Sequence, residues 1–242
     1  MDKGIYVAMT GAMLRMNELD NIASNVANIS TSGYKRTGFA ARFYPLMEGI
    51  SQPQSALYPG ARAMTTLDKY TVDQAPGALH TTGNPLDVGI HGDGYFVLDV
   101  KGQRNYTRNG SFAIDRDGTL VTGGGHKVLG TDDRPIRISR DTKTTPDIGI
   151  DGTVTADGNV VGVIKLVKLA DIKGVSDSLY SGRVTGNADG ELAQGALERS
   201  NVNAVRELVA MITAQREFQT LQQVIRTFDT LAQRTNSEIA KV

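Results

Sequence analysis

The chain has no cysteine and no tryptophan. Without cysteine there is no disulfide scaffold, no thiol nucleophile and no thiolate-bound zinc or iron–sulfur site. Charge of one sign is not in excess either: 26 Lys and Arg balance 26 Asp and Glu over 242 residues. A general nucleic-acid binder needs a basic surface, so this balance argues against one. No run approaches ~18 uninterrupted apolar residues, and nothing reads as a membrane-spanning helix. The opening Met1-Asp2-Lys3-Gly4-Ile5-Tyr6-Val7-Ala8-Met9-Thr10 runs into Arg15, Asn17 and Glu18 with neither an h-region nor a cleavage site. No secretory signal is expected there, and any export is expected to use a route that reads none.

Helix breakers are missing from one region. All seven prolines lie between Pro45 and Pro146, and neither Gly nor Pro follows Gly195. These residues are the most costly in a helix interior, so the final 47 residues predict a long helix. Within it, Met211, Ala214, Phe218, Leu221, Ile225, Phe228 and Ala232 recur at alternating intervals of three and four, as in a coiled-coil seam. Val202, Val205, Val209 and Ile212 form a second apolar stripe, and Ser200, Asn201 and Asn203 offer N-caps. The N-terminus repeats the pattern with Ile5, Met9, Ala12, Met16, Leu19, Ala23 and Val26. That helix is weakened at Gly4 and Gly11 and predicted to stop near Ser30–Gly33, where Gly33 can take a positive φ. Each stripe fits a helix packed on its own domain. Two such stripes at opposite ends of one chain also fit helices that pair with each other or with neighbours.

Between the ends the sequence is rich in glycine, with 27 in all, and 40% of the chain is apolar. The expected fold is therefore mainly β with α-helical termini. Its expected parts are an N-terminal helix over 1–30, an extended linker with a hairpin around Leu57–Tyr70 over 31–76, a β-rich domain over 77–197 and a C-terminal helix over 198–242. Leu86–Ile90, Tyr95–Leu98, Ser111–Ile114 and Val160–Leu169 read as strands. Asp117-Gly118, Asp151-Gly152, Asp157-Gly158 and Asp189-Gly190 read as turns.

Chemistry is sparse. His80, His91 and His126 lack metal-ligand spacing. Asp115-Arg116-Asp117-Gly118 departs from a calcium loop at Leu120 and His126 and reads as a solvated turn. Gly123-Gly124-Gly125-His126-Lys127-Val128 lacks phosphate-loop spacing and reads as a hairpin loop. There is no G-x-S-x-G elbow. No catalytic, cofactor-binding or metal residue is assigned, and no cofactor is expected.

Two stretches stand out. Asn25-Val26-Ala27-Asn28-Ile29-Ser30-Thr31-Ser32-Gly33-Tyr34-Lys35 reads locally as a helix C-cap, and Leu197-Glu198-Arg199-Ser200-Asn201-Val202 as an N-cap segment. Together they resemble the signatures of the bacterial flagellar axial family, the rod, hook and hook-filament proteins. The middle adds Leu86-Asp87-Val88-Gly89-Ile90-His91-Gly92-Asp93-Gly94-Tyr95-Phe96, Tyr106-Thr107-Arg108-Asn109-Gly110-Ser111-Phe112 and Asp117-Gly118-Thr119-Leu120. Val26 departs mildly from the family pattern. The opening Met1–Tyr6 and Thr82-Gly83-Asn84-Pro85-Leu86-Asp87 look most like proximal rod members, with distal rod members second.

The resemblance implies a non-enzymatic subunit, exported through the flagellar type III apparatus and assembled helically in the periplasmic rod with copies of itself and other rod proteins. No nucleic acid and no small-molecule substrate is expected. Assembly would rest on Ile5, Met9, Met16, Leu19, Asn25, Val26, Ala27, Asn28, Gly33 and Tyr34 at one end. At the other end it would rest on Leu197, Glu198, Ser200, Asn201, Val202, Met211, Phe218, Leu221, Ile225 and Phe228. The termini are expected to pack antiparallel, to be loose in the monomer and to fold on assembly. Two other classes compete: a carbohydrate-binding or enzymatic β domain with helical arms, and an intracellular coiled-coil dimer.

Overall fold

The computed structural model describes residues 2–46, 62–139, 144–176 and 178–239. The chain begins with α1 (Asp2–Ala27), β1 (Thr37–Leu46) and β2 (Arg62–Val72). Short strands follow: β3 (Leu79–Thr81), β4 (Val88–His91), β5 (Tyr95–Val100), β6 (Gln103–Thr107), β7 (Phe112–Ile114), β8 (Leu120–Thr122) and β9 (Lys127–Val128). Next come β10 (Asp147–Ile148), β11 (Thr153–Ala156), β12 (Asn159–Val163), β13 (Leu166–Ser176), β14 (Leu179–Asn187), β15 (Glu191–Gln194) and β16 (Ala196–Glu198), before α2 (Ala204–Ile239). The fold is mainly β, with a helix at each end. Two compact units divide it: Met1–Val26 with Gly38–Thr71 and Ala204–Val242, and Ala27–Thr37 with Val72–Asn203.

In the second unit, β5, β6, β14 and β13 pair in a closed ring, because β13 bonds both β14 and β5. Strand β5 alternates between two cores. Phe96 and Leu98 point into one cluster with Val88, Leu120, Val128 and Val154. Tyr95 and Val97 point into another with Tyr106, Leu129, Val167 and Tyr180. A period of two puts successive side chains on opposite faces, so a strand buried on both sides needs the unbroken apolar run Tyr95–Leu98. Two hairpins turn on residues with positive φ: Lys101-Gly102 joins β5 to β6, and Asp157-Gly158 joins β11 to β12. Such pairs match the right-handed twist of the flanking strands. The expected strand Val160–Leu169 is two, β12 and β13. β4 pairs with β15, and β3 pairs with β16.

In the first unit, β1 and β2 pair with each other; residues 57–61 of the expected hairpin lie outside the described residues. The two helices meet in antiparallel order. The Cα of Gly4 faces the Phe228 ring, and Gly11 faces Leu221. Arg15 Nε bonds Glu217 Oε2 at 2.7 Å, and Asn25 Nδ2 donates to Glu207 Oε2 at 3.2 Å. Each step of 7, 4 and 10 residues up α1 is matched by 7, 4 and 10 residues down α2.

On α2 the expected seam has the right phase: Ala214 is buried, and Met211, Phe218, Leu221, Ile225 and Phe228 are half-buried. Ala232, expected on the same seam, is exposed. On α1 Ala12 of the expected stripe is buried, but Met9, Met16 and Ala23 lie one residue out of phase with the buried face. Ala8, Ala12, Ile22 and Asn25 are the buried positions. Ile5 and Leu19 are half-buried, while Met9, Met16 and Ala23 are exposed. Glycine and alanine let the helix backbones approach closely, and a stripe chosen by side-chain hydrophobicity passes over them.

Candidate functional site

The two signature stretches converge in the second unit around one carboxylate. Glu198 ends β16, whose register sets Leu197 opposite His80 and Glu198 opposite Leu79. The Glu198 side chain is only 1% exposed, as is Lys35, and Arg108 is 3% exposed. Glu198 Oε1 accepts from Lys35 Nζ at 2.6 Å and from the Gly77 N–H at 2.7 Å. Its Oε2 accepts from Arg108 Nη1 at 2.9 Å. Lys35 Nζ also donates to the Ala75 carbonyl at 2.8 Å, and Arg108 Nη2 to the Gly92 carbonyl at 2.8 Å. Two buried cations thus share one buried anion, and backbone carbonyls take one further bond from each cation. Buried ions persist only when so partnered.

The backbone is interlocked around this triad. The Gly33 N–H donates to the Glu198 carbonyl at 2.8 Å, and Arg199 N–H to the Ala78 carbonyl at 2.9 Å. Asn201 Oδ1 accepts from the Arg36 N–H at 2.7 Å, while its Nδ2 donates to the carbonyls of Asp73 and Ala75. Tyr180 Oη accepts from the Lys35 N–H at 2.7 Å. Gly33 has φ of +69°, and a Cβ there would lie 2.3 Å from the Arg108 carbonyl carbon. Gly77 is equally obligatory, since a Cβ would fall 1.9 Å from the Arg199 oxygen. Both positions admit glycine alone.

Burial governs the protonation of this cluster. It lowers the Lys35 ammonium pKa from its ordinary value, against the pull of Glu198. It pushes the Tyr95 phenol up to about 12 and raises Tyr180 as well. Tyr95 stacks edge-on to Tyr180 with centroids 5.7 Å apart, and the Arg108 guanidinium sits 5.3 Å from the Tyr95 ring centre. Tyr95 Oη and Arg108 Nε are buried without hydrogen-bond partners.

The structure brings Gly33, Tyr34, Leu197, Glu198, Ser200, Asn201 and Val202 into this junction. Tyr34 and Val202 are buried there, and Ser200 Oγ accepts from the Val202 N–H at 3.3 Å. Asn28 caps the turn after α1, with its Oδ1 accepting from Thr31 Oγ1 at 3.1 Å. Asn25 lies instead in the helix pair with Glu207, both fully buried. Val26 is half-buried, and Ala27 is exposed at the helix end. Ile5, Met9, Met16, Leu19, Met211, Phe218, Leu221, Ile225 and Phe228 belong to the helices and take no part in the junction.

Sequence reasoning missed Lys35, Arg108, Tyr180 and Glu207 as functional positions. Lys35 and Arg108 were visible within motif blocks. A basic residue in each of two blocks and an acidic one, Glu198, in the third are the available signal. Among the described residues, no group of three His, Cys, Asp or Glu is placed to hold a metal ion.

Three family models match the chain: "Flagella basal body rod protein" over residues 5–35, "Flagellar hook protein FlgE/F/G D1 domain" over 89–156, and "Flagellar basal body rod FlgEFG protein C-terminal" over 193–238. The flagellar basal-body rod protein FlgF of Escherichia coli K12 is 34% identical over 257 residues, covering 98% of each chain. The rod protein FlgG of Agrobacterium fabrum is 34% identical over 256 residues, covering 95% of this chain and 97% of its own. FlgF of Mesorhizobium japonicum is 31% identical over 234 residues, covering 93% of each. Helical termini, a β-rich middle and these matches define a structural protein of the axial class. The chain belongs to the flagellar basal-body rod protein family.

Proposed function

We propose that the chain is a non-catalytic structural subunit of the basal-body rod, of the proximal FlgF type. On this reading it leaves the cytoplasm through the flagellar type III apparatus and assembles helically in the periplasm, beside copies of itself and other rod proteins. The observation that carries the reading is the Lys35–Glu198–Arg108 junction. It devotes its buried charges to fastening the segments next to α1 and α2 onto the β unit. A rigid fastening of this kind suits a shaft that transmits torque.

The distal, FlgG-type position is the second reading, favoured by the equal 34% identity to a FlgF and a FlgG relative. Against it stand the opening Met1–Tyr6 and the Thr82–Asp87 motif. In that motif Thr82 Oγ1 and Asn84 Nδ2 both donate to the Asp87 carboxylate, at 2.7 and 3.1 Å.

The test is complementation. Cells lacking the gene are expected to be non-motile, with basal bodies that end below the rod in electron micrographs, and the chain supplied in trans is expected to restore both. Normal rods in the deletion strain would overturn the proposal. Rods that stop beyond the proximal segment would favour the distal reading.

A further inference from the structure

The β3–β16 ribbon has two unlike faces. Residues set opposite each other in an antiparallel pair share a face, and the faces alternate with a period of two. The pairing of Leu79 with Glu198 therefore marks the face that carries the buried carboxylate. The pairing of His80 with Leu197 marks the other face, which Thr82 and Arg199 extend at intervals of two. The Gly33 N–H bond to the Glu198 carbonyl holds the turn after α1 against β16. Between that turn and the ribbon lies a cavity of about 340 Å³. Ser30 and Ser32 of the turn wall it, together with His80, Arg199 and Ser200. All of these residues belong to the second unit.

The lining is rich in donors and contains no acid. Among the described residues, the Arg199 guanidinium, the His80 ring and the Ser30 and Ser32 hydroxyls have neither a hydrogen bond nor an ion pair. Ser200 Oγ accepts from the Val202 N–H, which leaves its own proton free to donate. Thr82 also lines the cavity, but its hydroxyl is committed to Asp87 Oδ2 at 2.7 Å. The Glu198 carboxylate lies on the other face and is bonded by Lys35 and Arg108. A guanidinium, an imidazole and three hydroxyls with no carboxylate among them match an anion that offers several acceptor oxygens. Ile29 and Leu197 complete the lining with apolar surface. We propose that this cavity binds a small oxyanion, a phosphate or carboxylate group carried on a compact apolar body. The oxyanion accepts from Arg199, Ser32 and Ser200, and the body rests on Ile29 and Leu197. A pocket with an apolar wall and a few convergent polar groups is the usual form of a small-molecule site. Such a ligand bridges the turn after α1 to the segment before α2 and so tightens the junction. The cavity belongs to one chain and needs no neighbouring subunit.

Isothermal titration of the full chain at fixed ionic strength tests this, with inorganic phosphate, phenyl phosphate and benzoate as probes and chloride as the control. Saturable binding of phenyl phosphate or benzoate is expected, and the tighter of the two identifies the headgroup. Inorganic phosphate is expected to bind more weakly than phenyl phosphate, because it leaves Ile29 and Leu197 uncovered. Arg199→Gln is expected to weaken binding about tenfold or more, since a charge-assisted hydrogen bond is lost. Ser32→Ala is expected to weaken it less. Lys173→Gln removes an exposed cation outside the cavity and is expected to bind as the parent does. The Arg199 and Ser32 side chains make no bonds within the fold, so both variants are expected to keep the parent's circular dichroism and urea midpoint without ligand. With ligand the midpoint is expected to rise most for the parent. Binding unchanged in both Arg199→Gln and Ser32→Ala would overturn the site. So would a loss in Lys173→Gln equal to that in Arg199→Gln, or no saturable binding of any probe. Tighter binding of inorganic phosphate than of phenyl phosphate would overturn the apolar part of the ligand.

Discussion

Glu198 is the residue on which the junction turns. Replacing it with Gln removes the carboxylate that bonds both Lys35 and Arg108, and two buried cations are left sharing a neutral amide. Breaking a buried pair by removing one partner costs about 3–5 kcal/mol. Glu198→Gln is therefore expected to lower the unfolding free energy of the β unit, read from urea titrations, by that amount. A loss under about 1 kcal/mol, the worth of a surface pair, would show that the triad is not structural.

Tyr95 supplies a second test. Its hydroxyl is buried without a partner, so Tyr95→Phe is expected to raise stability by roughly 1 kcal/mol. The same phenol gives a pH dependence. Its folded pKa, about 12, lies above the unfolded value near 10, so between these pH values the folded state holds the proton that the unfolded chain has lost. Stability from Tyr95, and from Tyr180 in the same sense, is present below pH ~10 and falls as pH rises above it. Lys35 acts oppositely: its folded pKa lies below the unfolded one, so its contribution grows as pH rises toward the ordinary lysine value. Unfolding curves above pH 10 are expected to weaken less in Tyr95→Phe than in the parent. An equal loss in both would remove Tyr95 from the account.

At the scale of the element, the helix pair is set by small residues. A Cβ at Gly11 would meet Leu221 at 3.5 Å, an ordinary contact, whereas one at Gly4 would come within 2.9 Å of Phe228 Cζ. Gly→Ala in a helix interior gains roughly 0.5–1 kcal/mol where there is room. Gly11→Ala is expected to raise helix melting, and Gly4→Ala to gain less or lose. The reverse order would contradict the register found between α1 and α2.

The elements also show what the sequence could reveal. The C-terminal helix followed from the missing breakers, the N-terminal helix from its three–four apolar spacing, and β5 from the run Tyr95–Leu98. The α2 seam was legible because its large residues are the half-buried ones. The α1 seam was legible only in part, at Ala12, because Gly4, Ala8 and Gly11 carry no hydrophobic signal, while Met9 and Met16 carry a strong one and face outward. The junction was hidden for another reason. Lys35 and Arg108 lie 163 and 90 residues from Glu198, and no local period connects them. Only pairing of β3 with β16 and close approach at Gly33 bring these blocks together.

At the scale of the whole molecule, we propose that the β unit folds on its own and that the helices carry assembly. We propose cutting at 27 and 203, which removes both helices and keeps β1 and β2 with the β unit, since a cut at 197 discards Glu198 and Asn201 and with them the junction. The most direct measurement is sedimentation velocity of the full chain and of residues 27–203 over a range of concentrations, with circular dichroism on both. The full chain is expected to sediment faster as concentration rises, while 27–203 stays monomeric and keeps its β signal. Concentration-dependent assembly of 27–203 equal to that of the full chain would contradict this, because it would place the assembling surface outside the helices.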